Sequence, residues 1–205
     1  MKLSIIGMSG SGKSYWSKKL QEEKGFKRFC CDDIIEQKLS HELKKFGYSG
    51  LHDVGKWMGQ PFDPQYVKRS KKYLYFENKA TYEIFRAIKH QKNIVIDTTG
   101  SVIYMENSIL QKLSKLTQII YLDTPVTVQQ EMYRLYLKDP KPVIWGKSFY
   151  KVNGESNIES LSRCYPKLLA FRSKRYENIT NIRFDYTFSH SQNFSVDEFM
   201  EVIKK

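Results

Sequence analysis

Gly7-Met8-Ser9-Gly10-Ser11-Gly12-Lys13-Ser14 decides how this chain is read. It satisfies G-x-x-x-x-G-K-[ST] at every fixed position. Its surroundings agree: the apolar run Leu3-Ser4-Ile5-Ile6 precedes it, and Tyr15, Trp16 and Leu20 recur after it at helical spacing. Strand, glycine-rich loop and helix in that order form a phosphate cradle. Backbone N–H groups converge on an anion where no Cβ intrudes, and the helix N-terminus adds positive potential. A glycine-rich turn with a chance lysine is the alternative, and the strand–loop–helix context argues against it. Gly7, Ser9, Gly10, Ser11, Gly12, Lys13, Ser14 and Tyr15 are therefore the candidate nucleotide-binding residues. Lys13 is expected to reach the β- and γ-phosphates of ATP, and the Ser14 hydroxyl to ligate Mg²⁺.

Outward from the loop, β-branched runs alternate with helical patterns. The expected strands are Lys2–Gly7, Lys27–Cys31, Asn93–Asp97, Gln118–Asp123 and Phe184–Phe188. Such alternation predicts parallel strands joined by crossover helices, and uninterrupted runs such as Ile94-Val95-Ile96 suit a sheet covered on both faces. Asp63-Pro64 and Thr124-Pro125 read as helix entries, and Ser195-Val196-Asp197-Glu198 as a capping box. Tyr48–Asp63 and Lys138–Ser156 read as long irregular segments of the kind used for lids or binding loops.

Length and composition bound the classes. The chain has 205 residues, 40% hydrophobic and 14% aromatic, which suits one globular domain and excludes a disordered chain. Lys+Arg is 34 against 22 for Asp+Glu, a net +12, so polyanionic partners are favoured without being distinguished. No apolar run approaches a membrane span. Three cysteines, two of them adjacent, imply free thiols and a reduced, cytoplasmic setting. His41, His52, His90 and His190 show no metal-ligand spacing.

Phosphoryl transfer also needs acids past the carboxyl ends of strands, to hold the metal and to orient the acceptor hydroxyl. Asp97, closing Ile94-Val95-Ile96, has the pattern of a metal-holding acid. Asp32 or Asp33 would face the acceptor, as base or orienting acceptor. Asp123 reads as a turn residue before Thr124-Pro125. Thr98-Thr99-Gly100-Ser101 is a hydroxyl-rich turn fit either for a substrate pocket or for a plain strand-to-helix link, with Thr99 and Gly100 as the candidate contacts. Arg134 and Lys141 sit where a helix runs into a Pro/Gly loop, a plausible basic lid over the phosphates, although a basic helix C-terminus reads the same way. Arg172, late on another helix, reads as an anion clamp or part of a solvated face. Lys68-Arg69-Ser70-Lys71-Lys72 reads as a solvated helix face in preference to a nucleic-acid contact.

These residues together resemble shikimate kinase, within the nucleoside-monophosphate-kinase-like P-loop proteins. The loop matches fully. Asp32-Asp33-Ile34-Ile35-Glu36 resembles D-x-x-I-E, which implies that Asp32 holds substrate hydroxyls. Arg134 and Lys141 resemble two lid arginines, with Lys141-Pro142-Val143 for R-P-L. Arg172-Ser173-Lys174-Arg175-Tyr176-Glu177 resembles R-x-P-x-Y-E, whose arginine grips a substrate carboxylate. Phe188–Glu198 resembles the segment near adenine. Departures accompany the match. Thr98-Thr99-Gly100 stands for G-G-G, and Lys174 for a proline. In Tyr73-Leu74-Tyr75-Phe76-Glu77, read against F-R-x-x-E, Leu74 replaces a carboxylate-binding arginine, with Arg69 as a conceivable substitute.

The expectation is a three-layer α/β P-loop kinase fold: a five-stranded parallel sheet, order 2-3-1-4-5, with helices on both faces. Residues 1–205 form one domain, with an acceptor-binding helical region at about 32–90 and a lid at about 138–156. The expected activity is ATP- and Mg²⁺-dependent phosphorylation of a hydroxyl on a small molecule. Its catalytic set is Lys13, Asp32, Asp33, Arg134 and Lys141; Arg134 also contacts the nucleotide, Ser14 and Asp97 hold the metal, and Arg172 holds an anionic group of the acceptor. The alternatives are a nucleoside, nucleotide or polynucleotide 5′-hydroxyl kinase, and a nucleotide-binding protein without turnover. Acceptor identity and oligomeric state are not encoded in any motif.

Overall fold

The computed structural model describes residues 1–138, 141–191 and 194–204. Asp139 and Pro140 of the expected lid, and residues 192 and 193 of the expected adenine segment, lie outside the described residues. In chain order the elements are β1 (Lys2–Gly7), α1 (Lys13–Lys24), β2 (Lys27–Cys30), α2 (Cys31–Lys44), α3 (Gly50–Met58), α4 (Tyr66–Ala87), β3 (Ile94–Asp97), α5 (Asn107–Leu116), β4 (Gln118–Leu122), α6 (Val126–Lys138), α7 (Asn157–Glu177), β5 (Ile182–Phe184), α8 (Tyr186–Ser189) and α9 (Val196–Lys204). The sheet is parallel, in the order β2-β3-β1-β4-β5, with Lys2 opposite Ile94, Leu3 opposite Gln118 and Ile120 opposite Ile182.

Strand alternation divides the core into two faces. Leu3, Ile5, Val95, Ile120 and Leu122 pack under α1 and α9, where Phe199 stacks on Trp16 (4.5 Å) and on Phe184 (4.4 Å). Ile6, Ile94, Ile96, Ile119 and Tyr121 pack in the larger cluster, with α2, α3, α4, α5 and α7. One buried polar pair crosses this interior: the hydroxyls of Ser4 and Thr117 lie 2.8 Å apart, so each satisfies the other.

Three local expectations need correction. The fifth strand lies at Ile182–Phe184, not Phe184–Phe188, because Asp185 accepts the Thr187 N–H and opens the short helix α8. Tyr48–Asp63 is not irregular throughout. Val54, Trp57 and Met58 recur at helical spacing and bury one face of α3, which Gly59 ends in a positive-φ conformation (φ 78°). Asp63 does not cap α4. Its carboxylate accepts the Gln60 N–H in the preceding turn (2.6 Å), and the helix starts at Tyr66. Ser195 and Glu198 do form the expected reciprocal cap, with Ser195 N–H donating to Glu198 and Glu198 N–H to Ser195 Oγ.

Candidate active site

β1 ends at Gly7, and the chain turns through the loop into α1. Gly10 (φ 84°) and Gly12 (φ 91°) take the left-handed backbone that aims successive amides into the turn. Gly7 is compact for a steric reason: a Cβ there would stand 2.6 Å from Ser11 Oγ and 2.8 Å from the Leu122 carbonyl oxygen. Lys13, only 7% exposed, donates to the carbonyls of Gly7 (3.0 Å) and Met8 (2.8 Å), so its ammonium lies folded across the loop mouth. Burial pulls its pKa below the ordinary lysine value, while Asp97 and Asp32 act in the opposite direction.

A cleft of about 380 Å³ opens beside this loop. Its walls include Ser9, Gly10, Gly12, Lys13, Ser14 and Tyr15 on one side, and Asp32, Tyr73, Gly100, Lys141 and Arg172 around the other. Ten candidate site residues from the sequence thus meet in one cavity. Asp32, in the first turn of α2, is half-buried and accepts from Tyr73 Oη at 3.2 Å. Its pKa is pushed up to about 6, chiefly by desolvation, with Lys13 opposing. Asp33 is exposed on the next position of the same turn and is not among the cleft-lining residues.

Arg172 is 4% exposed, donates to the Ile144 carbonyl (3.0 Å), and carries a buried Nε with no hydrogen-bond partner. A buried guanidinium N–H without an acceptor is costly, and an anion entering the cleft would supply one. Gly100 gives it room: a Cβ there would sit 3.3 Å from Ser9 N and 3.4 Å from Arg172 Nη1. Tyr176 Oη donates to the Gly100 carbonyl (2.5 Å) and fixes this turn. A second, largely apolar cavity of about 350 Å³ adjoins the cleft through Ser9, Gly10, Lys141 and Arg172, with Met132, Tyr136 and Leu168 among its walls.

Other expected residues lie elsewhere. Thr99 is buried and donates its hydroxyl to Glu77. Arg134 has a side chain 76% exposed, and Glu131 accepts from it at 3.3 Å. Arg69 donates to the Trp57 carbonyl (2.6 Å) and lies over the Phe46 ring, so it does not stand in for the arginine that Leu74 replaces. Asp123 is held by Tyr121, Thr124 N–H and Arg183, as a turn residue should be. Asp97 is buried against Arg28 (2.5 Å) and Ser17 (3.0 Å), both on its Oδ2.

The sequence reading missed Glu77 as a functional candidate. This carboxyl is 1% exposed on the inner face of α4, receives hydrogen bonds from Thr99 and Ser101, and has a pKa pushed up to about 7 by desolvation. A signal existed: Glu77 interrupts the apolar stripe Tyr73, Ala80, Ile84 at a position the helical period sends inward. Arg28 and Tyr73 carried no such signal.

The residues suit a nucleoside triphosphate: left-handed glycines, a buried lysine and a helix N-terminus converge on one cavity. Magnesium takes most of its ligands from phosphates and water, so a hydroxyl and one acid suffice on the protein side. Among the described residues no cluster of three or more His, Cys, Asp or Glu forms a metal cage. Ser14 lines the cleft; Asp97, 2% exposed, is not among the cleft-lining residues, and its described hydrogen bonds from Ser17 and Arg28 are both on Oδ2.

Solved structures of the same shape set the class: this chain has the P-loop kinase fold. It aligns over 99% of its length, and over 90% of the other chain, with shikimate kinase from Acinetobacter baumannii in complex with shikimate (TM-score 0.65, 17% identity). Shikimate kinase from Aquifex aeolicus aligns over 100% and 96% (TM-score 0.61, 17% identity). Deoxyadenosine kinase from M. mycoides with bound dATP aligns over the full length of both chains (TM-score 0.54, 16% identity). No family model matches the chain, and no curated protein matches its sequence. Among the described residues no helix is long and apolar enough to cross a membrane.

Proposed function

We propose that this protein is an ATP- and Mg²⁺-dependent kinase that phosphorylates a hydroxyl of a small molecule. One observation carries the reading: the phosphate loop with Lys13 and the raised-pKa carboxyl of Asp32 line the same cleft. Lys13 leaves the carbonyls of Gly7 and Met8 for the incoming phosphates, and the loop amides of Ser9 to Tyr15 surround them. Ser14 and Asp97 would hold Mg²⁺, which when bound would supply charge neutralisation at the transferring phosphoryl group. Asp32 accepts the proton of the acceptor hydroxyl. A carboxyl with a pKa of about 6 is better matched to that task near neutrality than an ordinary aspartate.

Arg172 and Lys141 supply the positive end of the acceptor site, so an acceptor with an anionic group away from its reacting hydroxyl fits best. The acceptor-binding region at 32–90 faces the cleft through Asp32, Leu51 and Tyr73, and 138–156 is the lid. Asp33 is a reserve for Asp32, and Arg134 joins the site only if the lid closes. The three cysteines are free, and burial raises the thiols of Cys30 (to about 12) and Cys31, which suits a reducing cytoplasm.

A second reading, phosphorylation of a nucleoside, a nucleotide or a 5′-hydroxyl end, is favoured by one feature. Leu74 packs against the core, so α4 offers no arginine for a shikimate-type carboxylate.

ADP release measured across hydroxylated acids, sugars, nucleosides and 5′-hydroxyl oligonucleotides tests the proposal. Acceptor-dependent turnover is expected from wild type and none from Lys13→Ala. Equal turnover by the two would refute the assignment, and ATP binding without turnover on any acceptor would leave a nucleotide-binding protein.

A further inference from the structure

The outer side of α4 carries a pattern unrelated to the cleft. At about 100° per residue, Tyr73, Glu77, Ala80 and Ile84 share the inward face. Lys68, Lys71, Tyr75, Lys79, Tyr82 and Arg86 fall within an arc of about 80° on the opposite side. All six are exposed, including Tyr75 at 52% and Tyr82 at 39%. The result is a ridge about 27 Å long in which cations and tyrosines alternate. Burial does not explain those tyrosines, since the packing face of α4 points the other way.

The rings are covered by cations instead. Lys79 Nζ lies 4.6 Å from the Tyr75 centroid, and Lys112 of α5 lies 5.9 Å from that of Tyr82. Lys79, Tyr82, Arg86 and Lys112 also line one shallow depression. The acid there, Glu83, is ion-paired to Lys38 at 2.6 Å, so its charge is offset.

We propose that this ridge, with Lys112, is a binding surface for single-stranded nucleic acid, separate from the cleft that holds Lys13 and Asp32. A flexible strand lays its phosphates along Lys68, Lys71, Lys79, Arg86 and Lys112, and two of its bases stack on Tyr75 and Tyr82. Lys79 and Lys112 leave the rings for phosphates as the bases arrive, so each ring exchanges a cation for a base and each cation gains an anion. The net charge of +12 favours the encounter. An anionic membrane would use the cations equally well. The ridge has no row of large aliphatic side chains to enter a bilayer, however, and only Val67 stands near its start.

Fluorescence anisotropy with a fluorescein-labelled 20-nucleotide oligothymidylate, titrated between about 50 and 200 mM salt, tests the proposal. Wild type should bind saturably. Lys71→Gln/Lys79→Gln/Arg86→Gln should reduce the slope of log affinity against log salt by about 2, at roughly 0.7 per lost phosphate contact. Tyr75→Ala/Tyr82→Ala should leave that slope unchanged and weaken binding roughly 5- to 150-fold for each base unstacked. Lys18→Gln/Lys204→Gln, with two charges removed from other exposed sites, should retain most of the affinity. The ridge is refuted by absent wild-type binding, by tyrosine variants that bind as wild type does, or by an equal loss in the Lys18/Lys204 control. Loss of phosphatidylserine-vesicle binding in the ridge variants, with oligonucleotide binding unchanged, would refute it in favour of a membrane. ADP release serves as an independent readout and should be the same for all these variants.

Discussion

Replacing Glu77 with glutamine should make the protein more stable at alkaline pH and leave it little changed at acid pH. Glu77 is 1% exposed, and its pKa stands at about 7 against the ordinary 4.5. Desolvation is the largest cause, with Asp32 adding to it; the hydrogen bonds from Thr99 and Ser101 pull the other way. Between those two values the folded chain holds a proton that the unfolded chain has released. Stability from this group is therefore complete below about pH 4.5 and is lost as pH rises through about 7. The full displacement corresponds to about 3 kcal/mol. Glutamine has no proton to lose, and its amide can still pair with the two hydroxyls.

The stability difference between Glu77→Gln and wild type should thus move in favour of the variant by about 3 kcal/mol from pH 5 to pH 8.5. In a chain of this size that is ~6–12 °C in Tm. Urea unfolding followed by tryptophan fluorescence suits the measurement, because Trp16, Trp57 and Trp145 are each 1% exposed. Other titrating groups largely cancel in the difference. Two parallel stability–pH curves would refute the reasoning, since they would mean that Glu77 ionises in the folded protein as easily as in the unfolded one.

Two further outcomes follow. Asp97→Ala removes the partner of Arg28, whose side chain is only 14% exposed, and should cost ~3–5 kcal/mol of unfolding free energy by leaving a buried charge unpaired; a loss below about 1 kcal/mol would mean that Arg28 relaxes into water. Asp32→Asn should slow phosphoryl transfer by roughly 10²- to 10⁴-fold with ATP affinity nearly intact, and the fall in activity expected of wild type below about pH 6 should be absent from the variant; equal losses in transfer and ATP binding would reassign Asp32 to the metal or to structure.

The phosphate loop and the parallel strands were legible because local sequence determines them, whereas the sheet order was legible only through the resemblance to shikimate kinase. Glycine spacing specifies the turn, and β-branched runs separated by helical patterns specify parallel strands. Asp32 and Arg172 were legible as candidates because each sits at a readable place, one just past a strand and one late on a helix. Side-chain partnerships were not legible. Nothing in Lys27-Arg28-Phe29 announces that Arg28 will meet Asp97, and nothing near Thr99 says that its hydroxyl turns to Glu77. The fifth strand was misplaced because Phe184–Phe188 is as aromatic as a strand, while the deciding feature is the Asp185 cap. Arg134 shows the reverse case: a suggestive spacing whose side chain stays in solvent.

The stack of Trp16, Phe199 and Phe184 has a consequence for synthesis on the ribosome. Trp16 sits three residues past Lys13, yet its supporting ring comes from α9, and its indole N–H donates to the Ser189 carbonyl (3.3 Å). The loop is encoded early and buttressed late. A nascent chain that has already translated the loop still lacks the wall behind it until residues 196–204 emerge, so the phosphate loop should reach its final rigidity only once α9 has docked.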